Sequence, residues 1–147
     1  MAIPTTPHDF YAEFDIRFSG GTFTKLAPFI EYGHHKARFS FGKDALSLDA
    51  DSGKAKLGTT AKVQYQDGHW YHVVAEQKGE EVLMQVDGVP LYGTHPSLKD
   101  PAEKGAAGLG FCGAQGGTID LRDVKIWSVK PDFAPQWAET KAKLGGN

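Results

Sequence analysis

The chain has a single cysteine, Cys112, among its 147 residues. One thiol excludes an internal disulfide and any zinc site built on several cysteines. Its setting in Leu109-Gly110-Phe111-Cys112-Gly113 predicts a buried, inert group on an apolar strand. No apolar run approaches the roughly 20 residues that a membrane-spanning helix requires. The opening Met1-Ala2-Ile3-Pro4-Thr5-Thr6-Pro7 lacks the basic start and apolar core of a signal peptide. A surplus of one charge is missing as well. Sixteen Lys and Arg against 18 Asp and Glu leave a formal charge of −2. The basic residues are scattered, so nucleic acid is not an expected partner. Helical periodicity is confined to Pro135-Gln136-Trp137-Ala138-Glu139-Thr140-Lys141-Ala142-Lys143-Leu144, where Pro near the first turn and Trp137 and Leu144 on one face predict a short tail helix.

What the chain has instead is glycine, 18 residues of it, and apolar residues at every second position. Frequent glycine favours tight turns and short strands. In Phe10-Tyr11-Ala12-Glu13-Phe14-Asp15-Ile16-Arg17-Phe18 five apolar side chains share one face and Tyr11, Glu13, Asp15 and Arg17 the other, a pattern that a helix would scatter around its circumference. Further strands are predicted over 26–32, with Pro28 marking an edge or bulge, and over 37–41, 46–50 and 61–65. Asp51-Ser52-Gly53-Lys54 reads as a loop. Trp70 to Val86 reads as a hairpin turning at Lys78-Gly79, followed by an Asp87-Gly88 turn into Val89-Pro90-Leu91-Tyr92. Residues 93–107 read as a polar loop holding one helical turn. Strands over 108–112 and 118–129 close the chain around a Gly-rich turn. In the last strand Ile119 and Leu121, then Val124 and Ile126, point inward; the parity slips at Arg122-Asp123, as a β-bulge would make it. About ten short strands without an internal repeat or long linker predict one all-β domain over 1–147, a sandwich or barrel.

Certain of these strings resemble known families. Trp70-Tyr71-His72-Val73-Val74, then Val82-Leu83-Met84-Gln85-Val86-Asp87-Gly88, is similar to the laminin G-like Trp-His-Val strand and Val-Asp-Gly turn. Asp123-Val124-Lys125-Ile126-Trp127 resembles the closing strand of the same family. The opening strand, with the Lys130-Pro131-Asp132 tail, looks more like the bacterial 3-keto-disaccharide hydrolase domain, although the Asn-Ser-Gly segment and Gly-Tyr-Glu-Val-Gln-like strand of those enzymes are absent. Both belong to the concanavalin A-like lectin and glucanase group. The resemblance covers about residues 9–130 and implies a two-sheet antiparallel jelly-roll sandwich. Family 16 glycoside hydrolases on that fold carry Glu-x-Asp-x-Glu; here Glu13-Phe14-Asp15-Ile16-Arg17 has Arg at the last position.

The face of Tyr11, Glu13, Asp15 and Arg17, extended by Arg38 on a neighbouring strand, is the expected ligand surface. An aromatic ring stacks on a sugar while carboxylate and guanidinium bond its hydroxyls. The alternative is a solvated face with cross-strand ion pairs. As a hydrolase the chain would use Glu13, Asp15 or Glu31 as acid or base, but a neighbouring Arg17 favours ionised Asp15, which no acid can be. His34 and His35, being adjacent, would point to opposite strand faces and do not chelate one metal. His72 reads as structural and Trp127 as a cap on the core. The resemblance implies a structural Ca²⁺ at Asp120 and Asp123, shared with Asp9 or Thr6; the alternative is a bulge carboxylate paired with Arg122 or Lys125. No other cofactor is expected. The expected function is a non-catalytic carbohydrate-recognition or adhesion-type module, secreted or periplasmic. The alternatives are a glycoside-cleaving hydrolase, or an interaction domain without a small ligand.

Overall fold

The structure, a computed structural model, describes residues 2–3, 9–23, 27–33, 36–98 and 109–128. It is an antiparallel sandwich. One sheet has six strands in the order β1 (Ala2–Ile3), β10 (Leu109–Cys112), β3 (Phe29–Tyr32), β4 (Ala37–Phe41), β5 (Leu46–Ala50) and β6 (Ala55–Thr60). The other has five, in the order β11 (Thr118–Ser128), β2 (Phe10–Ser19), β7 (Trp70–Lys78), β8 (Glu81–Val86) and β9 (Val89–Thr94). The predicted two-sheet all-β architecture is present.

Alternation explains the layers. Along β2 every even residue is buried and every odd one only partly so. Phe10, Phe14 and Phe18 then reach across the sandwich to Tyr32, Phe111 and Phe41, with ring centroids 5.2, 5.4 and 5.3 Å apart. Three aromatic pairs at this spacing tie the layers together and set their separation. Tyr32 takes its polar end across too, donating from its hydroxyl to the Leu83 carbonyl at 2.9 Å.

Turn chemistry fixes the register of the five-stranded sheet. Lys78 pairs with Glu81 around Gly79, whose φ of +58° suits the first central position of a type II′ turn. Val86 pairs with Val89 around Asp87-Gly88, both in the left-handed region at +49° and +81°, as a type I′ turn demands.

Several expectations need correction. Residues 61–65 form no strand, and of the side chains expected inside only Val63 is buried, Ala61 being exposed and Tyr65 half-buried; the sixth strand of that sheet is Ala55–Thr60, whose Lys56-Leu57-Gly58-Thr59-Thr60 carries too few apolar residues to announce it. The bulge is where the parity slip put it: Arg122 faces Asp15 and Lys125 faces Glu13, so Asp123 and Val124 together oppose Phe14. Val124 is nonetheless exposed, because the extra residue turns it out of the layer. Cys112 is exposed rather than buried, being the last residue of β10 on the outer side of its sheet. Pro28 lies just before β3, not in it. The helical turn expected in the polar loop is present among its described residues as a 3₁₀ turn, Pro96–Leu98. The expectations for Thr6, Leu26, His34, His35, the tail helix and Trp137 fall outside the described residues.

Candidate functional site

The outer face of the five-stranded sheet is built around β2, which lies between β11 and β7. Antiparallel register puts cross-strand partners side by side on that face. Tyr11 is opposite Trp127 on β11, Glu13 opposite Lys125, Asp15 opposite Arg122 and Arg17 opposite Asp120. On the β7 side Glu13 meets Val74, Asp15 meets His72 and Arg17 meets Trp70. One strand's odd positions therefore organise three strands' polar residues into rows.

Charge alternates within these rows. Asp15 Oδ2 accepts from Arg122 Nε at 2.8 Å, and Asp15 Oδ1 lies 2.8 Å from His72 Nδ1. His72 Nε2 is 3.1 Å from Glu13 Oε1, so the imidazole bridges two carboxylates. Arg17 donates from Nε and Nη2 to Asp120 Oδ2 at 3.1 and 2.9 Å. Trp70 is flanked by both guanidiniums, with Arg122 Cζ 4.0 Å and Arg17 Cζ 4.7 Å from its ring centroid. Tyr11 and Trp127 pack as a tilted pair, centroids 5.2 Å apart, and Trp127 remains 49% exposed.

The electrostatics follow from these contacts. The Arg122 guanidinium, then the His72 hydrogen bond, hold the Asp15 carboxyl below its ordinary value. The same bond from Asp15 raises the His72 imidazole above its ordinary value, against a smaller opposing effect of burial. The face thus offers an ionised carboxylate, guanidiniums and an open indole. Exposed ion pairs of this kind are each worth about 0–1 kcal/mol, so a ligand's hydroxyls can replace them at little cost.

Four of the expected ligand residues, Tyr11, Glu13, Asp15 and Arg17, share this face; Arg38 does not. It belongs to the outer face of the other sheet, where Glu31, Arg38, Asp49 and Lys56 form a row across β3 to β6. There Arg38 approaches Glu31 at 3.5 Å and covers the Phe29 ring at 4.2 Å. Glu31 is therefore separated from Glu13 and Asp15 by the whole sandwich, and these three cannot flank one glycosidic bond. The expected partner of Asp15 also changes: Arg17 sits two residues away on the same face but pairs with Asp120, while Arg122 takes Asp15.

Trp127 does not cap the core and His72 is not structural packing; both are open to solvent on the candidate face. The signal for each was parity. Ile126 inside implies Trp127 outside, and Tyr71 with Val73 inside implies His72 outside. Trp70 and Arg122, also missed, follow from the same rule.

Two of the donors expected for calcium, Asp120 and Asp9, have other partners. Asp120 is committed to Arg17, and Asp9 Oδ1 accepts from the Gly79 amide at 3.0 Å. Asp9 also lies five β2 residues from Phe14, the residue opposite the bulge, which is about 17 Å of strand. Among the described residues no group of three His, Cys, Asp or Glu side chains is placed to hold a metal. No helix among them is long and apolar enough to cross a membrane.

Comparison with known proteins agrees with this architecture. The laminin G domain profile matches residues 24–115, well over half of the chain. No curated protein sequence matches. Among solved structures, the carbohydrate-binding module CBM66 from Bacillus subtilis is similar with a TM-score of 0.53 at 16% identity, covering 82% of this chain and 75% of its own. Lactose- and MES-liganded congerin II gives 0.58 at 13% identity, over 86% and 98% of the two chains. The exoplasmic/lumenal domain of VIP36, in its Ca²⁺/Man3GlcNAc-bound form, gives 0.58 at 11%, over 92% and 76%. At these identities the structures establish a shared jelly-roll fold, and the profile match establishes that the chain belongs to the laminin G domain family.

Proposed function

We propose that the protein is a carbohydrate-recognition module whose ligand lies on the outer face of the five-stranded sheet. The observation that carries this reading is the half-exposed Trp127, braced by Tyr11 at one end of a lattice of carboxylates and guanidiniums. An indole held at a fixed tilt stacks on the C–H face of a pyranose, while Asp15 and Arg122 exchange their mutual ion pair, and Glu13 its contact with His72, for sugar hydroxyls. Sugar-liganded proteins among the structures of the same fold support the reading. A secreted or periplasmic location goes with it, since glycan surfaces are met there.

The hydrolase alternative has less support. Asp15 is held ionised and is no proton donor, and Glu31 faces the other way, so of the three candidate carboxyls Glu13 alone is left on this face to serve as the acid. Screening on a glycan array, followed by calorimetric titration in calcium and in EDTA, tests the proposal. Trp127→Ala is expected to weaken binding of an oligosaccharide hit about tenfold, and the glycan should be recovered intact. Undiminished binding by Trp127→Ala, or no glycan bound at all, overturns it; release of a cleaved product replaces it with the hydrolase.

A further inference from the structure

Beyond Arg17 and Trp70 the sheet ends in three loops, 19–23, 42–45 and 65–69, and between them lies a cleft of about 390 Å³ lined by Gly20, Gly21, Thr22, Phe23, Lys43, Tyr65 and Asp67. Its walls are tied by backbone bonds. The Tyr65 amide donates to the Gly42 carbonyl at 2.9 Å and the Gly68 amide to the Phe18 carbonyl at 2.9 Å, while Thr22 and Gln115 exchange bonds at 2.9 and 3.2 Å. Gly21 has a φ of +79°, and a Cβ there would come within 2.7 Å of the Gly117 nitrogen, so the loop 19–23 is packed directly on the backbone of its neighbour. That closeness leaves little room for the cleft to collapse.

The polar groups in the cleft are positioned but not used up. Asp67 is exposed, and its Oδ1 accepts from the Gly20 amide at 2.7 Å and from the Tyr65 hydroxyl at 3.2 Å. Among the described residues its Oδ2 accepts nothing. Lys43 lies 5.6 Å from the Phe23 ring centroid and makes no ion pair with any described carboxylate. Phe23 and Tyr65 meet edge to face at 4.8 Å and form an aromatic wall. A carboxylate fixed through one oxygen with the other open, an ammonium in the same lining and an aromatic wall suit a single polyhydroxylated ring. Adjacent hydroxyls donate to Asp67 Oδ2, a ring or hydroxyl oxygen accepts from Lys43, and carbon-bound hydrogens face the rings. Ser19 and Gly20 directly follow the Arg17 row, so the cleft begins about 10 Å beyond the candidate face along β2.

We infer that this cleft is a second subsite that receives one terminal sugar residue of a glycan whose body lies on the outer face. The inference rests on the carbohydrate reading above, and the experiment separates the two. ¹H–¹⁵N spectra of the full chain are recorded with methyl glycosides of the common hexoses and N-acetylhexosamines as probes, with alanine as a zwitterionic control. The expected result is that at least one glycoside shifts the amides of 20–23 and 65–68. Asp67→Asn, which keeps an acceptor for the Gly20 amide and an unchanged melting temperature, should weaken that binding about tenfold, the size of a lost charged hydrogen bond. Trp127→Ala should leave monosaccharide binding intact while weakening a longer chain. Shifts with alanine but no glycoside, or wild-type affinity in Asp67→Asn, overturn the subsite and leave the face reading to stand on Trp127→Ala. Glycoside binding lost in Asp67→Asn without any effect of Trp127→Ala on longer chains supports the cleft and sinks the face. No binding of any sugar overturns both.

Discussion

Glu76 is the residue with the least comfortable surroundings. Parity puts it on the side of β7 that carries His72, beside Tyr11 and Leu83, yet it is only 1% exposed. Its Oε2 has no hydrogen-bond partner among the described residues. Burial pushes its pKa from 4.5 up to about 7. The folded chain therefore keeps a proton that the unfolded chain releases, and stability falls as pH rises from about 4.5 to about 7, beyond which the penalty is constant. Glu76→Gln removes the ionisation. Its urea midpoint should match the parent protein at pH 4 and exceed it at pH 8 by an amount equivalent to about 3 kcal/mol. Equal midpoints at pH 8 would show that the carboxyl is solvated in the native state. Nothing in the sequence marks this residue, since Glu76 occupies an ordinary polar position of an alternating strand and only the packing around it shows the cost.

At the scale of elements, alternation was readable wherever a strand is long and central, and misleading where the chain merely dips into the core. β2 shows both of its faces in sequence because five aromatic or aliphatic side chains must enter one layer together. Residues 61–65 show the same rhythm in sequence without pairing: Val63 alone is buried, Ala61 is exposed and Tyr65 is tied to the Gly42 loop. One buried side chain needs no hydrogen-bond ladder. The bulge in β11 was readable as a slip of phase, and it decides the site, because without the extra residue Trp127 would turn toward the core. Asp123 makes that slip with a φ of +55°, where β-branched residues are strained and glycine is not. Asp123→Val should therefore cost about 1–2 kcal/mol in thermal or chemical unfolding, whereas Asp123→Gly should be neutral or mildly stabilising. A tolerated valine would mean that the bulge has moved, and a change in Trp127 fluorescence would report it.

For the molecule as a whole, the sandwich separates two polar faces that linear sequence cannot tell apart. Arg17 and Arg38 stand at equivalent points of similar alternating strands, and only the order of strands in the two sheets shows that their side chains leave opposite sides. Sheet layers about 10 Å apart, filled with aromatic side chains, leave no polar path between those faces. Substitutions on them should then behave independently. Arg122→Ala, which removes one of the two partners of Asp15 and one of the two guanidiniums against Trp70, should weaken a glycan held on the five-stranded sheet several-fold, and Arg38→Ala should leave its affinity unchanged. The double variant should match Arg122→Ala to within about 0.5 kcal/mol, as expected for sites with no shared partners. Calorimetric titration of all four proteins against one glycan provides the cycle. A loss of affinity in Arg38→Ala alone would move the ligand to the row of Glu31, Arg38, Asp49 and Lys56, and a large coupling energy would mean that the two layers respond to each other through the aromatic core.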